Sequence, residues 1–236
     1  ILKCIESIHR LEKLRNIEVI VVDNNSSDNS RQLISTRFPY INLISSKENL
    51  GFAAGNNLGV KNAKGRYLLF LNSDTQLTRP IIRELIDEYE STQSIGIVAP
   101  RLRNSDNTIQ ESIFKFPTLW GAFSESFFLR FLFPNTRLLG DYRNFKYQKK
   151  KKVDFVSGAC FMIKKELFER INGFDENFFM YAEESDLMFR LYKKSYFSYF
   201  IPKGDIIHIG GGSHKTNTFK NDFYQSKLYY YQKHYS

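Results

Sequence analysis

Apolar and polar positions follow two alternating rhythms through the first hundred residues. Helical spacing over residues 2–14 gives way to an apolar run at 17–22, which reads as a buried strand. An Asn/Ser/Asp-rich loop then offers several N-caps for a helix over 28–37. The order repeats with a strand at 41–44, a helix at 52–63 and a strand at 67–71. Pro80 falls in the first turn of a helix reaching about residue 92, and a strand follows at 95–99. This alternation predicts an α/β fold with a mostly parallel sheet covered by helices.

The second half is less regular. A strand is expected near 109–114, then an irregular segment to 152, an apolar run over 153–164 and a helix over 165–171. Leu187 and Leu191, four apart, mark a helix over 182–194. Short strands at 199–201 and 206–209 precede an aromatic, basic helix over 219–235. With 236 residues and no internal repeat, the chain is read as a single domain, 1–100 forming one half and 101–236 the other.

Cys4 and Cys160 form no CxxC pattern, which argues against a zinc site or disulfide framework and suits a reducing compartment. No apolar run is long enough to span a bilayer. Ile1 enters a helical pattern directly, without an initiator Met, as expected of a sequence trimmed at its front end. The net charge of +9 is concentrated: residues 114–152 hold nine Lys/Arg against two acids, together with eleven aromatic residues. Such a segment suits an anionic partner, phospholipid or nucleic acid, although Lys149 to Lys152 could equally be a solvated excursion.

Four clusters could do chemistry. The strand at 67–71 ends in Asn72-Ser73-Asp74, where ligands bind in open α/β sheets. Asn-x-Asp there can hold a hard divalent cation, and through it a diphosphate; alternatively, Asp74 caps the next helix. Asp23, in Val21-Val22-Asp23-Asn24-Asn25, ends another buried strand and could accept from a base or ribose, or serve a turn. The small residues of Asn49-Leu50-Gly51-Phe52-Ala53-Ala54-Gly55-Asn56-Asn57 let a helix start approach a phosphate, without a Walker or GxGxxG pattern. Glu183, Glu184 and Asp186 crowd one helix start, which suits a general base or merely complements the helix dipole. His208, before Gly210-Gly211-Gly212, is either a core residue or, if near Asp74, a metal ligand.

In this order, the clusters resemble family 2 glycosyltransferases of the GT-A fold, in the bacterial surface-polysaccharide, rhamnosyltransferase-like branch. The matching stretches are residues 21–28, 48–57, 68–74, 156–160, 173–187 and 208–213. The resemblance implies inverting transfer of a sugar from a nucleoside-diphosphate donor, dTDP-rhamnose or a UDP-hexose, to a hydroxyl of a glycan or lipid-linked acceptor. It implies donor contacts from Asp23, Asn25, Gly55, Asn56, Asn72, Ser73 and Gly158, and Mg²⁺ or Mn²⁺ on Asp74 and His208. Glu184 stands where the family has its base, with Asp186 as the second choice, and Asp175 and Glu183 would shape the acceptor side. The implied location is the cytoplasmic face of the cell membrane, touched through 114–152, with no nucleic acid partner.

Three departures accompany the resemblance. The family's usual first strand, with its Thr/Asn-Tyr-Asn nucleotide contact, would precede Ile1 and is absent from this sequence. Asn72 replaces the first Asp of Asp-x-Asp, and Glu184 replaces an Asp. A catalytically impaired sugar-nucleotide-binding protein is therefore the alternative, with a nucleic-acid-binding module behind it.

Overall fold

The computed structural model describes residues 1–12, 14–127, 142, 145–210 and 217–236. Arg130, Arg137, Asp141 and Arg143 of the basic segment, and Gly211 to His214, lie outside the described residues. The first half runs α1 (Leu2–Leu11), β1 (Ile20–Asp23), α2 (Ser30–Arg37), β2 (Asn42–Ser45), α3 (Gly51–Asn62) and β3 (Tyr67–Leu71). It continues with β4 (Thr75–Leu77), α4 (Ile82–Glu90) and β5 (Ile95–Ala99). Next come β6 (Leu102–Arg103), β7 (Ile113–Phe114), α5 (Leu119–Ser126), β8 (Lys151–Val153), β9 (Phe155–Val156) and β10 (Cys160–Lys164). The chain ends with α6 (Lys165–Arg170), α7 (Glu183–Lys193), β11 (Phe197–Phe200), β12 (Ile206–His208) and α8 (Asn217–Tyr235).

The expected helices and strands of the α/β reading are largely present, but the central sheet is less parallel than expected. Its order is β3-β10-β5-β11-β8, and β10 runs antiparallel to both β3 and β5. Only β5 and β11 within it are parallel neighbours. The apolar run at 153–164 also divides. Asp154 accepts the Phe116 N–H at 3.1 Å, and the 157–159 loop separates β9 from β10.

β1 and β2 pair in parallel as a separate two-stranded sheet. No strand among the described residues joins β1 to β3. Instead, α1 packs against β4, α3 packs against β1, and Ile5 of α1 shares a core cluster with Val19 and Val21.

Beneath the site, every β5 residue is buried. The Phe70 ring lies 4.9 Å from Phe161 and 5.2 Å from both Phe168 and Phe174. Each ring contributes roughly 2–3 kcal/mol through burial, so the carboxyl end of β3 rests on a rigid floor. Because Cys160 pairs with Leu71, the loop preceding β10 sits where β3 ends. Likewise β12 runs antiparallel to β4 with His208 opposite Thr75, which carries His208 beside Asp74.

Candidate functional site

β3 ends in a tight turn rather than in a helix. The Asn72 carbonyl accepts the Thr75 N–H at 3.2 Å and its hydroxyl at 2.7 Å, and the Asn72 N–H donates to Ala159 O at 2.9 Å. Asp74 therefore leads into β4 and caps nothing. The helix that Asp74 could have capped, α4, has the Ile81 and Ile82 N–H groups bound by Glu12 Oε1 at 2.6 and 3.1 Å.

Asp74 faces His208 instead, with Oδ1 3.3 Å from Nε2, while its Oδ2 accepts the Gly210 N–H at 3.1 Å. His208 Nδ1 lies 2.8 Å from Gln110 Oε1. The amide orientation of Gln110 is set by its partners, since Nε2 donates to Asn104 Oδ1 at 2.9 Å and to the His208 carbonyl at 3.2 Å. Nδ1 thus carries the proton, and Nε2 is turned towards the Asp74 carboxylate. A proton can bridge these two acceptor atoms, and a cation can take its place. The His208 ring, together with the Gly210 N–H, holds the Asp74 carboxyl below its ordinary range. The separation of 3.3 Å suits two adjacent ligands of one octahedral ion, so the residues fit Mg²⁺ or Mn²⁺. No group of three or more His, Cys, Asp or Glu residues that could hold a metal occurs among the described residues.

The cluster around Gly51 and Gly55 is organised by Asn24, which the sequence left without a role. Asn24 donates to Asn49 Oδ1 at 3.0 Å and to Gly51 O at 2.9 Å, and accepts the Leu50 N–H at 2.9 Å. Gly55 lies against Asn24, where a Cβ would come within 3.4 Å of its amide. Gly51 has φ +76°, and a Cβ there would meet the Phe179 carbonyl at 2.2 Å, so only glycine fits. Asp23 is buried, with Oδ2 3.3 Å from Arg31 Nε, and Asn25 takes a left-handed φ of 64°. The Asn56 side chain turns back onto the Phe52 carbonyl at 2.8 Å. Asn57 is the residue that reaches across, bonding the backbone of Phe174 through both ends of its amide.

The carboxylates of α7 separate into two kinds. Tyr181 and Ala182 are both left-handed, with φ 71° and 67°, a strained entry that turns the chain sharply into α7. Glu183 and Glu184 each have a buried Oε2 without a hydrogen-bond partner. Burial raises Glu183 well above the carboxylate range, and the adjacent Glu184 charge adds to it. Burial raises Glu184 too, opposed by N–H groups of its own backbone and of Gly158 and by the Glu183 carboxyl. A Cβ on Gly158 would lie 4.0 Å from the Glu184 carboxyl carbon, and the next residue, Ala159, holds Asn72. One loop therefore links the end of β3 to Glu184.

Asp186 and Asp175 point elsewhere. Asp186 is fully buried and is met by Arg190 Nε at 2.8 Å, Lys233 Nζ at 2.7 Å and His234 Nε2 at 2.8 Å. Asp175 accepts from Lys233 at 2.7 Å and from the Tyr229 hydroxyl at 3.0 Å. Burial alone would raise Asp175, yet the Lys233 ammonium and hydrogen bonds from Asn177 and Tyr229 outweigh it and hold the carboxyl down at about 2. Both aspartates, expected at the base and acceptor positions, hold α8, Asp186 from α7 and Asp175 from the 173–177 loop. Gln110, Asn24, Lys233 and His234 escaped the sequence reading because each acts on a partner distant in the chain. For Lys233 and Asp186, opposite charge on two helices was the available signal, and it carries no register.

Comparison with known proteins gives this geometry a family. A model described as glycosyl transferase family 2 matches residues 1–171. The chain belongs to glycosyl transferase family 2. A second model, described as the N-terminal domain of galactosyltransferase, matches residues 141–215 of this glycosyltransferase. It is 25% identical over 206 residues to an N-acetylglucosaminyl-diphospho-decaprenol L-rhamnosyltransferase of Mycobacterium tuberculosis, covering 82% of this chain and 67% of the relative. It is 34% identical over 178 residues to the low-salt glycan biosynthesis hexosyltransferase Agl10 of Haloferax volcanii, covering 73% of this chain and 52% of that one. Identity to rhamnosyltransferase WbbL of Escherichia coli is 28%, covering 81% of this chain and 72% of the relative.

Solved structures share the GT-A fold. GalNAc-T7 with UDP, GalNAc and Mn²⁺ superposes with a TM-score of 0.63 at 12% identity, over 88% of this chain and 40% of that one. Staphylococcus aureus TarS 1–349 with UDP gives 0.58 at 18% identity, over 96% of this chain and 59% of that one.

Proposed function

We propose that this glycosyltransferase moves a rhamnosyl or hexosyl unit from a nucleoside-diphosphate donor to a glycan or lipid-linked acceptor hydroxyl, with inversion, during cell-surface glycan synthesis. The observation that carries the reading is the meeting of Asp74 with His208 Nε2, linked through one loop to Glu183 and Glu184, each with a buried, unpartnered Oε2. Support for the sugar comes from the names of the mycobacterial, haloarchaeal and E. coli relatives. Support for a diphosphate donor with metal comes from UDP and Mn²⁺ in the GalNAc-T7 structure.

In this reading Asp23 and the Asn24-braced backbone at Gly51 and Gly55 receive the nucleoside. Asp74 and His208 hold Mg²⁺ or Mn²⁺, which when bound neutralises the departing diphosphate. Gln110 keeps His208 in the tautomer that leaves Nε2 free for that role. Glu184 removes the acceptor proton, and Glu183, retaining its own proton, supports the Glu184 carboxylate. Asp186, engaged by the Arg190 and Lys233 cations and by the His234 ring, is the weaker choice for the base.

Calorimetry with dTDP- and UDP-sugars, with and without Mn²⁺, tests the donor half. One sugar nucleotide is expected to bind only with metal and to release nucleoside diphosphate once an acceptor is added. Metal-independent binding would remove Asp74 and His208 from the scheme, and binding without transfer to any acceptor would leave only the sugar-nucleotide-binding reading.

A further inference from the structure

Helix α5 exposes its apolar side. Leu119, Trp120, Phe123 and Phe127 are between 45% and 60% exposed. On a helical projection they fall within about 100° of one another, so they form one face. Trp120 stacks on Phe123 at 5.4 Å, and Phe123 meets Phe127 at 4.5 Å.

The face continues onto α8. The Tyr231 and Tyr235 hydroxyls donate to the carbonyls of Thr118 and Pro117 at 3.5 and 2.9 Å, fixing α8 against the start of α5. Tyr224 and Leu228 lie on the same stripe of α8 as these tyrosines and are exposed. Nearer the other end, the Phe223 ring lies 5.9 Å from Tyr181, which immediately precedes the entry to Glu183 and Glu184. An apolar surface therefore runs from α5 to the edge of the carboxylate pair.

Cations border it. Lys146, Lys149, Lys151 and Lys152 are exposed. The Lys152 ammonium sits over the Phe197 ring, Phe197 meets Tyr192 at 5.9 Å, and Tyr192 meets Phe116 at 5.6 Å. Phe116 is one residue before Pro117 and the start of α5. An aromatic and aliphatic face beside ammonium groups matches a bilayer surface, where rings lie at headgroup depth and lysines meet phosphate. Leu119 and Leu228 among the rings favour acyl chains over nucleobases, which need open planar faces.

We propose that the exposed face of α5, extended by Tyr224 and Leu228 of α8, docks on a bilayer carrying anionic phospholipid headgroups. Docking there delivers a membrane-borne acceptor to the Glu183–Glu184 edge, a step that rests on the transfer reading. The docking itself does not.

Trp120 is the sole tryptophan of the chain and reports its own insertion. Phosphatidylglycerol vesicles are expected to shift its emission to the blue, and brominated acyl chains to quench it. Phosphatidylcholine vesicles should bind several-fold more weakly, and high salt should erase that difference. The double variant Phe123→Ser/Phe127→Ser should bind at least about tenfold more weakly. Its circular dichroism and sugar-nucleotide binding should match the parent chain. If that variant misfolds, Lys151→Glu/Lys152→Glu serves, with loss of the phosphatidylglycerol preference expected. Unchanged Trp120 emission with every vesicle, or equal binding by a folded variant, overturns the proposal. So does lipid-free self-association that buries Trp120, because a second copy of the chain would then be the occupant.

Discussion

Glu183 and Glu184 are neighbours whose burial makes two negative charges costly, so the pair retains a proton that an exposed pair would lose. Turnover should fall as pH drops through the raised range of the pair, because Glu184, as the proposed base, must be ionised to accept a proton. Glu184→Gln should lower kcat about a thousandfold while donor affinity is kept. Asp186→Asn should cost stability, with kcat within about tenfold of the parent. The reverse pattern in steady-state kinetics would move the base to Asp186. Glu183→Gln should leave the acid limb of the pH profile in place, since an amide donates to Glu184 as a protonated carboxyl does. Glu183→Leu should move that limb upward. At Asp74, substitution by Ala should abolish metal-dependent donor turnover with an unchanged circular dichroism spectrum. Full activity would discard the Asp74–His208 metal site.

Among elements, α8 has the largest effect on the site without entering it. Lys233 meets both Asp175 and Asp186 at 2.7 Å, joining the 173–177 loop to α7. Lys233→Met leaves the buried Asp186 and the partly buried Asp175 short of a cation, and should cost on the order of 3 kcal/mol in denaturant unfolding. The pH dependence has a definite sign. Asp175 is held at about 2, below its ordinary 3.8, so its contribution is complete above that ordinary value. It is lost as pH falls towards about 2. The Lys233→Met variant should show a shallower loss of stability across this window, and an identical slope would remove Lys233 as the cause.

For the whole molecule, the separation of β1 and β2 from the five-stranded sheet divides the site's support. Asp23 stands on a two-stranded pair, whereas Asp74 stands on β3, flanked by β10 and the phenylalanine floor. Two-stranded pairs gain little from neighbours. Native-state hydrogen exchange should therefore show β1 and β2 amides opening at least about tenfold more readily than those of β5 and β10. Equal protection would mean that α1 and α3 bind β1 as firmly as a neighbouring strand would.

The chain alone determined the alternation of helices and strands, the carboxyl-end position of Asp23 and Asp74, and the family. These are local: apolar spacing, a strand that stops in polar residues, and short motifs in a set order. Tertiary structure decided what each of these residues touches. Whether Asp74 capped a helix depended on Glu12, far away in sequence, which occupies that cap. The position of His208 depended on β12 pairing with β4, and its tautomer on Gln110. Three acids in one helical turn looked alike in sequence. Glu183 and Glu184 each keep a buried Oε2 without a partner, whereas buried Asp186 is paired with Arg190 and with Lys233 of α8. Strand pairing and charge pairing between distant segments have no signature in either segment alone, because each partner's state is set by what the fold brings against it.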